Sequence, residues 1–161
     1  MREDKKELKG LGGWLILVGI GVVLMPVVIA KDLLTILSFF QNDWEVLIDP
    51  DSGVYYPELF YFICAEAVVG LLLLIAAIYA FYLFFSKHYR FPKFYIWLIS
   101  IFFLVLLSDT VITNILFPEE DAFQGEEIKE LVKGFLRMCI WIPYLLLSVR
   151  VENTFVEKRK I

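Results

Sequence analysis

The chain has few of the residues that build metal centres or catalytic clusters. Its 161 residues include one histidine, His88, and two cysteines, Cys64 and Cys139. Both cysteines fall inside long apolar runs, where an apolar core position is the ordinary role of a cysteine. Histidine, cysteine and serine do not gather at one depth of the predicted helices. The sequence therefore predicts no metal, no cofactor and no enzymatic activity.

The chain also has too little polar sequence for a soluble domain. Hydrophobic residues make up 60% of it and aromatic residues 17%, which is above soluble usage. Apolar runs of about 20 residues, the length that crosses a ~30 Å hydrocarbon core, predict four transmembrane helices. These runs are residues 11–30, 57–86, 94–117 and 131–149. The predicted fold is all-α, a polytopic four-transmembrane-helix bundle in a single domain of residues 1–161.

Basic residues are scarce in two of the predicted loops, and this sets the predicted orientation. Four basic residues precede the first helix, three lie in the loop 87–93 and four in the tail 150–161. The loops 31–56 and 118–130 have one each. The positive-inside rule therefore places both termini and the loop 87–93 in the cytoplasm. No basic stripe with interleaved aromatic residues is present, so no nucleic-acid partner is predicted.

The two outer loops differ in character. Residues 33–40 of the first loop are semi-amphipathic and predict a short helix in the membrane interface. The second loop, residues 118–130, is rich in glutamate and aspartate. Such a run is typical of a solvated loop, and binding of a cation or a cationic partner stays open.

Charges within the predicted spans are candidate functional groups, because each costs a few kcal/mol in lipid. They are Glu66, Asp109 and Arg137. Counting ~1.5 Å per residue from the outer helix ends puts Asp109 and Arg137 at similar depths, which predicts an ion pair. Thr113 and Asn114 add hydrogen-bonding groups one turn away. Glu66 either joins this cluster or lies at the outer interface.

Small and helix-bending residues shape the predicted helices. Pro26 and Pro143 each remove an intrahelical hydrogen bond and predict kinks. Gly19 and Gly21 allow close helix approach. No full GxxxG motif is present to indicate a helix dimer.

Three stretches of the chain resemble one known family. They are Gly12-Gly13-Trp14-Leu15, Phe84-Phe85-Ser86-Lys87 with Phe91-Pro92, and Trp141-Ile142-Pro143-Tyr144 followed by Ser148, Arg150-Val151 and Thr154-Phe155. Together they are similar to the bacterial inner-membrane family catalogued as domain of unknown function 2569 (DUF2569), over essentially the whole chain. The resemblance implies a small four-span protein of the bacterial cytoplasmic membrane and supplies no activity.

The tail after the last predicted helix has the pattern of an amphipathic anchor. Val151, Thr154 and Phe155 are expected to lie on the membrane, while Arg150 and the final basic residues meet anionic headgroups. A docking surface for a cytoplasmic partner stays open.

These patterns favour a non-enzymatic accessory protein that binds membrane lipid or a protein partner. The alternative is a small transporter or an ion or proton relay that uses Asp109 and Arg137. That function requires a homo-oligomer, because four spans enclose too small a pathway. A lipid-headgroup enzyme, with Asp109 and Glu66 as carboxylates and Arg137 holding a phosphate, is a third hypothesis.

Overall fold

The computed structural model describes residues 9–52, 55–116 and 125–157, with the backbone alone at 126 and 127. This part of the chain is all-α. Its six helices are α1 (Leu15–Asn42), α2 (Trp44–Ile48), α3 (Pro57–Phe85), α4 (Phe91–Leu116), α5 (Glu126–Leu147) and α6 (Val149–Thr154). A single parallel β-bridge joins His88 and Glu157.

Helices α1, α3 and α4 are long and apolar enough to cross a membrane. They contain 28, 29 and 26 residues, or about 42, 44 and 39 Å of helix at ~1.5 Å per residue. Many of their large apolar side chains are exposed in the isolated chain, among them Leu17, Leu72 and Leu104. Helices that are apolar on all faces are typical of membrane spans, whose outer surface faces lipid.

The prediction of four transmembrane helices is wrong in its count. Helix α5 has 22 residues but is not apolar enough to be a span. Its first twelve residues include six charged residues, Glu126, Glu127, Lys129, Glu130, Lys133 and Arg137. Charged side chains are costly in lipid, so α5 does not qualify as a span by its own sequence. The structure supports three potential spans and an amphipathic α5.

The first helix is longer than predicted. It continues from the expected end at residue 30 to Asn42 and absorbs the segment 33–40, for which a separate interfacial helix was predicted. Lys31 and Asp32 interrupt the apolar run but do not break a helix, because neither is a glycine or a proline. The connection between α1 and α3 therefore begins after Asn42 and contains α2.

The other boundaries are close to those predicted, with one exception. Helices α3 and α4 begin and end within three residues of the predicted 57–86 and 94–117. Helix α5 begins at Glu126 and so includes the last part of the predicted acidic loop. Residues 117–124 of that loop lie outside the described residues.

The chain divides into two compact units, residues 1–22 with 79–161 and residues 23–78. In the second unit, an aromatic ring of α3 contacts rings of both α1 and α2. The Phe60 ring lies 6.0 Å from Phe40 and 6.1 Å from Trp44 between centroids. Gly70 packs against Leu33, whose Cδ2 is 2.9 Å from the place of a glycine Cβ. A side chain at position 70 would require the Leu33 side chain to shift.

In the first unit, α1 packs through a buried stripe against α3 and α4. Leu15, Val18 and Val22 are almost fully buried and recur at helical spacing. Gly19 and Gly21 permit close approach, since a Cβ there would lie 3.0 Å from Phe84 Cζ and 3.1 Å from the Tyr95 hydroxyl. The predicted role of these two glycines is confirmed.

Helices α4 and α5 pack side by side. Gly134 lies against Phe103 and Leu106, and the rings of Phe103 and Phe135 are 6.2 Å apart. Further along the chain, Phe155, eight residues after α5, lies 4.6 Å from Phe91 at the start of α4 between ring centroids. The two helices therefore run antiparallel, and α5 returns the chain to the end at which α4 begins.

Candidate functional site

Residues from all three stretches of the family resemblance meet at one end of the first unit. We call this region the terminal junction and define it as residues 10–14, 83–91 and 148–157.

In the terminal junction, a pair of hydrogen bonds joins the segment before α1 to α6. The Gly10 amide donates to Thr154 Oγ1 over 2.9 Å, and the Thr154 hydroxyl donates to the Gly10 carbonyl over 3.3 Å. Thr154 is fully buried. Gly10 has φ +96°, a conformation that favours glycine. The sequence analysis missed Gly10, although the Gly-rich start of α1 was a turn signal.

An aromatic cluster forms the core of the terminal junction. Phe155 lies 4.6 Å from Phe91 and 5.8 Å from Phe84 between ring centroids. Phe91 in turn lies 5.0 Å from Phe84 and stacks on Tyr95 at 5.3 Å. All four side chains are buried. This burial fixes the residues after α5 against the α3–α4 loop, because large aromatic side chains dominate core energetics.

The α3–α4 loop begins with a Schellman turn centred on Lys87. The Lys87 amide donates to the Phe84 carbonyl, and the His88 amide donates to the Leu83 carbonyl over 2.9 Å. Lys87 itself has φ +50°. This is the position at which helices usually have glycine, so a lysine there is strained.

The last described residues pair with this loop. The Glu157 amide donates to the Lys87 carbonyl and the Tyr89 amide donates to the Glu157 carbonyl, both over 3.2 Å. Arg90 donates from Nε to the Tyr89 hydroxyl over 2.9 Å. That hydrogen bond raises the pKa of Arg90 above its usual value. The loop therefore holds a permanently charged guanidinium beside the chain end.

Arg150 brings a half-buried guanidinium against the turn that precedes α1. Its Nη1 is 2.9 Å from the place of a Gly12 Cβ. Its Nε, Cζ and Nη2 lie 3.6, 3.7 and 3.8 Å from the place of a Gly13 Cβ, so the group lies flat over that residue. Within the described ranges, no hydrogen bond or ion pair joins Arg150 to another residue.

The remaining residues of the resemblance have separate positions. Ser148 accepts a hydrogen bond from the Val151 amide and caps α6. Trp141 and Tyr144 contact each other edge to face at 5.9 Å within α5, and Pro143 lies inside the same helix. Trp14 is 64% exposed. These residues shape or border the terminal junction without entering its core.

The expected membrane anchor after α5 is wrong in one respect. Val151, Thr154 and Phe155 are buried within the protein and do not lie on its surface. Residues with spacing suited to a membrane surface are equally suited to a protein core, and here α1, α3 and α4 supply that core. The final basic residues, 158–160, lie outside the described residues.

The predicted polar cluster is distributed over both units. Asp109, Thr113 and Asn114 lie half-buried on α4 and Arg137 is exposed on α5. Glu66 belongs to the second unit and has an interaction of its own. Among the residues that the structure describes, Asp109 and Arg137 form no ion pair.

Helix register explains why Asp109 and Arg137 are not paired. The packing of Gly134 on Phe103 and Leu106 places Arg137 level with residues near 101 of α4. Asp109 is about eight residues beyond that level, or roughly 12 Å along the axis. The sequence count began α5 at residue 131, whereas the helix begins at Glu126. Because α5 is not apolar enough to be a span, the intramembrane position predicted for Arg137 also loses its basis.

Other potential sites are less developed. An open groove of about 500 Å³ follows α1 and is lined by Lys31, Leu34, Thr35, Ser38, Phe39 and Asp43. Cys64 is half-buried, whereas Cys139 is exposed and not the core residue that was expected. Within the described chain, no three His, Cys, Asp or Glu side chains are grouped to hold a metal ion.

The fold and the terminal junction define an all-α protein with three helices able to span a membrane. The model of the family described as "Protein of unknown function (DUF2569)" matches residues 8–156. The chain therefore belongs to that family, as the three motif stretches predicted. No curated protein and no solved structure matches the chain.

Proposed function

We propose that this protein is a non-enzymatic accessory protein of the bacterial cytoplasmic membrane that binds anionic lipid at the terminal junction. One observation supports this function above all: positive charge is concentrated at this end of the first unit. The described cations in or beside the junction are Lys9, Lys87, Arg90, Lys93 and Arg150. The described acids there are Glu152 and Glu157. Basic clusters beside membrane spans attract anionic headgroups by about 1 kcal/mol per charge.

The hydrogen bonds of the terminal junction favour a cytoplasmic location for this end. Gly10 and Thr154 are joined directly, so the two described chain ends lie together. Glu157 pairs with the basic α3–α4 loop and brings that loop to the same end. Three groups of basic residues thus share one side, and the positive-inside rule assigns that side to the cytoplasm.

The structural roles of the residues that carry the family resemblance favour an accessory function over transport. Gly12, Thr154 and Phe155 hold the terminal junction together by packing and hydrogen bonding. A relay through Asp109 and Arg137 would need both groups at one level, and the register of α4 and α5 separates them by roughly 12 Å. We therefore do not propose the relay.

The test is the lipid composition retained by the purified protein. The protein is extracted from bacterial membranes in a mild detergent, and the bound phospholipids are counted by native mass spectrometry. We expect phosphatidylglycerol and cardiolipin to be enriched over phosphatidylethanolamine relative to the membrane extract. We expect the basic surface to cause this enrichment, because exposed charges attract anionic headgroups through the aqueous layer.

A matched triple variant serves as the control. Lys9→Gln, Arg90→Gln and Lys93→Gln remove three exposed charges in or beside the terminal junction and leave its buried core intact. We expect the enrichment to fall at least about threefold in this variant. Equal retention of zwitterionic and anionic lipid by the unmodified protein would contradict the proposed function.

A further inference from the structure

The Arg150 guanidinium packs on the backbone turn that precedes α1. It is half-buried over Gly12 and Gly13, and no described residue supplies a carboxylate or carbonyl to it. A partly desolvated charge without a partner is costly, and an external anion would remove that cost. We propose that Arg150, seated on the Gly12–Gly13 turn, binds the phosphate group of an anionic membrane lipid. This inference rests on the proposed function and names the binding group.

The turn is built to let the guanidinium approach. A Cβ at position 12 would lie 2.9 Å from Nη1, closer than real Cβ contacts, so an alanine there would push the group away. Gly13 has φ +59°, which glycine adopts without strain. In this flat position over Gly13, the five N–H donors of the Arg150 guanidinium have no acceptor among the described residues. A planar fork of donors is suited to bidentate contact with a phosphate.

The neighbouring surface fits a lipid better than a free phosphate ion. Trp14 follows the turn directly and is 64% exposed, and Leu147, three residues before Arg150, is 81% exposed. Leu146 beside it is exposed as well. Tryptophan is enriched where membrane meets water, and exposed leucines can contact acyl chains. The site therefore combines a phosphate-binding group with an apolar border.

The experiment compares thermal unfolding of the full-length protein in detergent during titration with phosphatidylglycerol. Phosphatidylcholine and inorganic phosphate are titrated in parallel. The variants are Arg150→Gln, Arg150→Lys and Gly12→Ala, with Lys31→Gln, an exposed charge outside the terminal junction, as the matched control. We expect phosphatidylglycerol to raise the Tm of the unmodified protein saturably. The apparent affinity should fall at least ~10-fold in Arg150→Gln and change less than ~2-fold in Lys31→Gln.

Two variants separate the geometry of the site from its charge. Arg150→Lys keeps the charge but loses the planar fork, and we expect an intermediate affinity. Gly12→Ala keeps the arginine but displaces its flexible end, and we expect about a 3-fold weaker affinity. Gly12→Ala also tests the proposal if Arg150→Gln fails to fold. An unchanged affinity for phosphatidylglycerol in both Gly12→Ala and Arg150→Lys would overturn the proposal that Arg150 binds the lipid phosphate from its position on the Gly12–Gly13 turn.

The remaining outcomes distinguish the two proposals. If the unmodified protein and Arg150→Gln respond equally to phosphatidylglycerol, the Arg150 site is wrong while lipid binding stands. If no form responds, the proposed function fails as well. If inorganic phosphate raises Tm and displaces the lipid effect, the phosphate chemistry stands and the lipid source is overturned.

Discussion

Replacing Thr154 by valine removes both hydrogen bonds to Gly10 and preserves most of the side-chain volume. The Gly10 amide and carbonyl then face a methyl group in place of a hydroxyl. A buried polar group left without its partner costs about 1–3 kcal/mol. We therefore expect Thr154→Val to lower the free energy of unfolding by about 1–3 kcal/mol.

Two measurements in detergent check this expectation. Thermal unfolding should show a Tm lower by roughly 2–12 °C, since 1 kcal/mol shifts Tm by about 2–4 °C in chains of this size. Hydrogen exchange should show faster exchange of the Gly10 amide, while amides in the middle of α4 keep their protection.

Thr154→Ser is the matched control because it keeps the hydroxyl and loses one methyl group. Removal of that buried methyl costs about 1 kcal/mol, so stability falls somewhat. The Gly10 amide should nevertheless remain protected. Rapid Gly10 exchange in the serine variant, or unchanged exchange in the valine variant, would refute the direct link between the two chain ends.

Three further substitutions test the surrounding structure. Phe155→Ala should destabilise the protein by about 3–5 kcal/mol in thermal unfolding, because it empties the aromatic core, whereas Phe155→Leu should cost below ~1.5 kcal/mol. Lys87→Gly should raise the free energy of unfolding by about 1 kcal/mol by relieving the left-handed backbone, and Lys87→Ala should give no gain; equal stability of the two would argue against strain. Asp109→Asn and Arg137→Gln should have additive effects within about 0.5 kcal/mol in a double-mutant cycle, since no ion pair joins the two side chains; a larger coupling would mean that they interact.

The long apolar helices were the most predictable part of the fold. The runs 57–86 and 94–117 correspond closely to α3 and α4, because apolar runs of 20 or more residues have few alternatives to a helix that can span a membrane. The extension of α1 to Asn42 was not predicted. Hydropathy marks where a helix stops being apolar, whereas the helix itself ends where its backbone hydrogen bonds end.

The fourth predicted span failed for a related reason. The transmembrane helix at 131–149 was predicted from its apolar C-terminal half, and the charged residues within it were interpreted as functional groups. In the structure these charges belong to a continuous amphipathic helix that starts at Glu126. That earlier start also shifts Arg137 relative to Asp109, so the error in the helix boundary produced the error in the predicted ion pair.

The terminal junction was predictable in its residues but not in its architecture. Gly12, Arg150, Thr154 and Phe155 were singled out by their resemblance to the family, yet periodicity assigned the last two to the membrane surface. A spacing of three to four residues indicates that side chains share one face of a helix, but it does not indicate what packs against that face.

The amino-acid sequence by itself determined that this is an all-α membrane protein of the DUF2569 family, since hydropathy and local motifs depend only on neighbouring residues. The tertiary structure alone showed the full extent of each helix and therefore which helices qualify as potential spans. It also decided that Gly10 forms hydrogen bonds with Thr154 and that Arg150 packs against Gly12 and Gly13. These features join residues about 140 positions apart. Only the packing of α1, α3, α4 and α6 into one core brings such distant groups within hydrogen-bonding distance.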